Sequence, residues 1–281
     1  MKKMLLISGI FLSYASMLCA QEEVNFKVRY KPEYRYEMTT EQKSETVMKY
    51  IGSKELLNTL KEKGIENPTV TNTKSVVKSV FETGKLTDGK HFPVRLEFIE
   101  TQSSDGKKSI PDHTVILGTE ALDSLPRLDS IVSDRMDPEL KKSMLAMIQA
   151  TFLQLAFPDK KLKTGKSFST ESPVSLPLPG MSLDMIIKTN YRLVKVSAGL
   201  ATFDIVQTYT MNTTIKDIKG KASGAGKGKM VYDTNTGFYT LSTIDLTMQM
   251  LMSFDKFDID AKITSIYEQT VVVTKNENAG K

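Results

Sequence analysis

The sequence predicts an α+β protein that is mainly β: a strongly curved antiparallel sheet or partial barrel, with one long helix and one short helix. Three observations predict it. Apolar and polar residues alternate along most of the chain, turn signals rich in Gly, Asn and Asp separate the alternating runs, and only two segments have helical spacing. About eight or nine strands are expected, more than an average sheet carries, and a sheet of that width tends to curl or close.

The first residues have a different grammar. Lys2 and Lys3 precede an apolar run from Met4 to Leu18, the pattern of a secretory signal. That run is about 15 residues, short of the ~20 that cross a bilayer core as a helix, so a cleaved signal over residues 1–20 is expected rather than an anchor. Ala20 is the small residue before the cut, and Gln21 begins the mature chain. The rest, 21–281, is expected to form a single β-rich domain, periplasmic or extracellular. Cys19 is the only cysteine and follows Leu18, where a lipoprotein signal needs a small residue. It is expected to leave with the signal, which removes disulfides and thiol chemistry.

Along the mature chain, Val24 to Tyr30 and Tyr34 to Tyr50 read as strands around Lys31-Pro32-Glu33. Ser53 then caps a short helix, Lys54 to Lys63, which ends at Gly64 and places Leu56, Leu57 and Leu60 on its apolar side. Thr69 to Leu86 and His91 to Thr101 flank Thr87-Asp88-Gly89-Lys90, a hairpin signal. The long helix starts at Asp137, a good N-cap, with Pro138 in the first turn and Glu139 complementing the dipole. Leu140, Met144, Met147, Ile148, Thr151, Phe152 and Leu155 fall along one face, and Phe157-Pro158 ends it. At ~28 Å it is long enough to lie across a sheet.

Ser172 to Gly180, with Pro173, Pro177 and Pro179, is expected to be an extended loop. Ile186 to Val196 and Leu200 to Met211 flank Ser197-Ala198-Gly199 as a second hairpin. A third joins Lys227–Asp233 through Thr234-Asn235-Thr236-Gly237 to the run Phe238–Phe254. In that run Phe238, Ile244, Leu246, Met248, Met250, Met252 and Phe254 share one face. Asp258 to Thr274 completes a C-terminal meander, with Ile259, Ala261, Ile263, Tyr267, Val271 and Val273 on one face.

The order of several features resembles an uncharacterised family of secreted Bacteroidetes proteins known as a domain of unknown function. The residues that carry the resemblance are Phe157-Pro158-Asp159-Lys160, Lys163 to Phe168, the hairpin Tyr191 to Tyr209, the Gly-rich Gly220 to Gly228 and the turn Asp233 to Gly237. They lie in the C-terminal half, and Phe168 stands where such families commonly carry Trp. The resemblance implies an envelope protein with a β-rich fold and transfers no catalytic residue.

The chemistry of the chain is sparse. His91 and His113 are the only histidines and neither has a ligand cluster beside it in sequence, so no metal site and no cofactor are expected. Removing Lys2 and Lys3 lowers the net charge from +5 to +3, a mixed surface without the concentrated basic patch of a nucleic-acid protein. No Gly-x-Ser-x-Gly elbow occurs. In Gly220 to Lys229, Lys221 and Gly228 occupy positions where a P-loop needs Gly and Ser or Thr, so a flexible strand entry or bulge is expected. Asp258 and Asp260 face away from the apolar set of their strand and belong to a solvated surface.

The most suggestive row is Met248, Met250 and Met252, facing Met144, Met147, Ile148 and Phe152 of the long helix. Methionine fills irregular apolar space and adapts to variable ligands. These seven residues are the candidate lining of an apolar ligand space. The expected function is therefore noncatalytic: a periplasmic or secreted binder or carrier of an apolar small molecule such as a lipid. Two alternatives stand beside it, a structural or interaction protein with an envelope protein as partner, and a hydrolase with a dispersed site.

Overall fold

A computed structural model describes residues 23–277 and 279, apart from 107, 109, 134, 135, 154–159, 179, 180, 216 and 217. The proposed signal, Cys19 and Gln21 lie outside the described residues, as do Leu155 and the expected helix end at Phe157-Pro158. In chain order the elements are β1 (Glu23–Phe26), β2 (Tyr34–Gly52), α1 (Lys54–Glu62), β3 (Thr69–Thr83), β4 (His91–Ser103), β5 (Thr114–Ala121), β6 (Arg127–Val132), α2 (Pro138–Leu153), β7 (Lys160–Lys163), β8 (Ser167–Leu178), β9 (Met181–Ser197), β10 (Leu200–Ile215), β11 (Ile218–Asp233), β12 (Phe238–Ser253) and β13 (Phe257–Lys275).

Eleven strands form one antiparallel sheet in the order β6-β5-β4-β3-β2-β13-β12-β11-β10-β9-β8. It consists of two meanders. β2 to β6 runs outward to one edge, β8 to β13 runs inward from the other, and the two meet where β2 pairs with β13 from Phe257↔Gly52 to Lys275↔Tyr34. The chain passes from edge to edge through α2.

Local chemistry explains the boundaries. Ser53 Oγ accepts from the Leu56 N–H at the start of α1, and Gly64 takes a positive φ just past its end. Asp137 Oδ1 accepts from the Glu139 N–H at 2.8 Å and opens α2. Its buried face is Met144, Ile148 and Phe152, spaced four apart, while Gln149 tethers the helix to β6 through the Leu128 N–H and Pro126 carbonyl.

Several expectations need correction. β1 is only Glu23–Phe26 and pairs with β7, and residues 27–30, expected in the same strand, are not part of it. The described residues carry 13 strands rather than eight or nine, with β5, β6, β7 and β8 beyond those the sequence predicts. The Pro-rich segment expected as a loop supplies β8, which lies at the sheet edge. Pro173 and Pro177 share one parity, so both missing N–H groups fall on the same side, tolerable where that side is the free edge. The Gly-rich run does not enter a strand but lies inside β11, between β10 and β12. Leu140 and Met147 are exposed, so the apolar stripe of α2 is narrower than its sequence suggests.

One end of the main sheet is closed by aromatic packing. Residues 23–33 run across it: the Phe26 ring lies 4.6 Å from Phe203 and 5.4 Å from Phe168, and Tyr30 lies 4.2 Å from Phe81 and 4.9 Å from Phe238. Such tilted pairs add to the large apolar area that each ring removes from water. Hydrogen bonds fix the crossing, from the Arg29 N–H to the Gly237 carbonyl, from the Lys31 N–H to the Tyr36 hydroxyl, and from the Tyr232 hydroxyl to the Lys27 carbonyl.

On β11 the inward positions Gly220, Ala222, Gly224, Gly226 and Gly228 carry almost no side chain, before Met230 and Tyr232 resume ordinary packing. A Cβ at Gly228 would stand 1.7 Å from the Thr243 carbonyl oxygen of β12, closer than any real contact. Gly228→Ala is therefore expected to destabilise the fold by about 3 kcal/mol, measured as a lowered denaturant midpoint. An unchanged midpoint would mean that β12 yields at no cost.

Candidate functional site

A cavity of about 580 Å³ opens on the inner face of the sheet, between the aromatic end and α2. The stripe of small residues on β11 helps to make it. Gly226 and Gly228 lie between Gln207 and Ile205 of β10 and Leu246 and Ile244 of β12, all of which line the space. Side chains on β11 at this level would fill it. The wall is apolar near the closed end, with Tyr30, Met38, Leu96, Phe98, Ile205 and Met230, and α2 adds Ile148 and Phe152.

A register change positions one wall residue. Val231 pairs with Leu241 but Tyr232 pairs with Tyr239, leaving Thr240 as a bulge. Parity therefore switches at Thr240, and Tyr239 faces the cavity although it belongs to the opposite parity from Ser242, Ile244 and Leu246.

Halfway along the strands the lining turns polar. Gln42 Nε2 donates to Ser265 Oγ at 3.1 Å, and Gln269 Nε2 donates to Thr40 Oγ1 at 3.1 Å while its Oε1 accepts from the Tyr239 hydroxyl at 2.7 Å. On the β9–β10 side, Gln207 Nε2 donates to Thr189 Oγ1 at 3.1 Å and its Oε1 accepts from the Tyr209 hydroxyl. Burial pushes the Tyr209 phenol up to about 12 and raises Tyr191, Tyr239 and Tyr267 as well, so all four remain neutral hydrogen-bonding groups at ordinary pH. No Lys, Arg, His, Asp or Glu is among the described residues that line this cavity.

The residues expected to line an apolar space separate into three groups. Ile148 and Phe152 do line the cavity. Met144 is buried in the core beside it, whereas Met147 is 48 % exposed on the far side of α2. Met248, Met250 and Met252 are half-buried on the inner face of β12, one to three inward positions beyond Leu246, and none touches the cavity. Met248 and Met250 instead pack against Met185, Tyr209, Met211 and Ala222, a second and smaller apolar cluster.

Other candidate chemistry lies elsewhere. His91 and His113 are exposed and pair with Asp88 and Glu97. Asp258 and Asp260 are half-buried on the outer face of β13, where Asp260 accepts from Gln249. Among the described residues there is no group of three or more His, Cys, Asp or Glu that could hold a metal ion, and no helix is long and apolar enough to cross a membrane. No family model and no curated protein matches the sequence.

The most perturbed carboxyl is Glu120 of β5. It is 3 % exposed, its Oε2 has no hydrogen-bond partner among the described residues, and burial pushes its carboxyl up to about 9. It is outside the cavity wall and is near enough to Tyr30 and Tyr36 to raise both phenols. In the unfolded chain the same carboxyl titrates at ~4.3. The folded state therefore holds the proton more tightly, and stability is full below that value and lost as pH rises through 9. Glu120→Gln is expected to match wild type in thermal melts at pH 4.5 and to exceed it at pH 9 by about 2 kcal/mol or more. Parallel pH profiles of the two proteins would refute this assignment.

Proposed function

We propose that this chain is a noncatalytic binder or carrier of an apolar ligand, exported by its N-terminal signal to the periplasm or cell exterior, and that the cavity is the ligand site. The observation that carries it is a preformed space of about 580 Å³ with apolar walls and convergent uncharged polar groups, within the range of small-molecule sites. Acid–base chemistry would call for a titratable group close to the reacting atoms; the lining supplies only high-pKa phenols, which favours binding over hydrolysis.

A strongly curved sheet, a partial barrel, is part of this proposal. The cavity is lined from eight consecutive strands, β4 through β2 and β13 through β9. Laid flat at ~4.8 Å per strand, the outermost of these would stand ~34 Å apart, too far to share one wall. Tyr30 meeting Phe81 of β3 and Phe238 of β12 supports the same curvature. In this arrangement α2 covers the concave side, and Ile148 and Phe152 form the cover's inner surface.

Mature protein purified without detergent is expected to carry a bound apolar molecule in native mass spectrometry. Ser242→Phe should fill the space and reduce the bound fraction at least about tenfold, equivalent to about 1.4 kcal/mol, with the melting midpoint nearly unchanged. Ile116→Ala, in the core outside the cavity, should cost about 3 kcal/mol of stability and leave ligand content as it was. A wild-type protein that neither retains nor takes up any apolar molecule would sink the carrier reading and leave the structural or interaction role as the better account.

A further inference from the structure

The inner face of the sheet changes character in bands that run across the strands. At the closed end it is aromatic and aliphatic, through Tyr30, Leu96, Phe152, Met38 and Met230. The pairing registers then set Thr40, Gln269 and Ser242 at one level, Gln42 and Tyr267 at the next, and Ser265 with Gln207 and Thr189 at a third. Beyond this belt, on β9 to β13, the face becomes apolar again and rich in methionine: Ile263, Met248 and Ile187, then Met250, Met211 and Met185.

A polar belt between two apolar bands is costly to build for packing alone. Each carboxamide carries two N–H donors, and Gln42, Gln207 and Gln269 each place one on a neighbouring hydroxyl. No second N–H partner occurs for any of them among the described residues. The belt therefore presents donors to the cavity and no cation. A carboxylate held there would lose its hydration without a counter-charge. Plain hydrocarbon would leave the amide donors unpaired, itself unfavourable. An uncharged carbonyl meets both conditions, since it accepts hydrogen bonds and carries no charge to desolvate.

We infer that the cavity takes a lipid whose hydrogen-bonding group is an ester or amide carbonyl set between two hydrocarbon segments. The inference rests on the cavity being a ligand site. One segment lies against the aromatic end and Phe152. The other leaves along the methionine band, where flexible thioethers accommodate chains of different length and unsaturation. This gives Met248 and Met250 a part in binding beyond the cavity wall, while the glutamines read the linkage.

The test compares four probes delivered to the ligand-stripped full-length mature protein: oleyl oleate, an alkane of equal carbon number, a methyl ester of equal carbon number with its carbonyl near one end, and oleate. Oleyl oleate is expected to bind about tenfold more tightly than the other three, from a few hydrogen bonds made without a charge penalty. Gln207→Leu combined with Gln269→Leu should weaken oleyl oleate about tenfold and leave the alkane bound as well or better, the alkane serving as a control for folding. If that double variant does not fold, Gln42→Leu is read in its place. Equal binding of alkane and ester by wild type, a preference for oleate or the end-placed ester, or an undiminished preference in the glutamine variant would each overturn the inference while leaving the carrier proposal standing. Failure of all four probes to bind would overturn both.

Discussion

Nineteen residues of β2, at the beginning of the main sheet's chain path, lie antiparallel against nineteen of β13, at its end. Every other pairing in the main sheet joins strands that are neighbours in sequence. This one pairing turns two separate meanders into a single sheet and puts Thr40 and Gln42 beside Gln269 and Tyr267. Without it the polar belt would have no continuous floor, and Tyr36 and Phe238 would not be held 4.9 Å apart in the aromatic end. The cavity is thus a property of the long-range pairing more than of any local motif.

The strand pattern was largely legible because period-two alternation is a local signal. It located the three hairpins and the last strand, and the caps of α1 and α2 followed from Ser53 and Asp137. What failed had physical reasons. β8 is not legible in the sequence because prolines punctuate a strand everywhere except at an edge, and sequence does not say which strand is the edge. Leu140 and Met147 satisfy helical spacing yet are exposed, while Met144, Ile148 and Phe152, spaced four apart, are buried. The reversal of parity at Thr240 was visible only as a pair of small residues interrupting an apolar row.

For the site itself, the methionine row is apolar and periodic yet lies beyond the cavity wall. The more telling signal was the opposite one. Ser265 and Gln269 interrupt the apolar parity that contains Ile263, Val271 and Val273, and Gln42 breaks the face begun by Tyr36 and Met38. A glutamine on a face that should be buried costs free energy unless something accepts its hydrogens. Glu120 shows a different solution to the same problem. Where the glutamines find hydroxyl neighbours, it holds its proton instead, and burial among aromatic rings is tolerated because the group is neutral.

The same β2–β13 contact also governs how the chain reaches its structure. Pairs such as Tyr34↔Lys275 are separated by nearly the whole described length, so closing that loop carries a high entropic cost before any contact compensates it. Until β13 is available, β2 presents an unpaired row of backbone donors and acceptors, a template for any other strand it meets. Covering that edge of β2 thus depends on a contact with the far end of the main sheet's chain path.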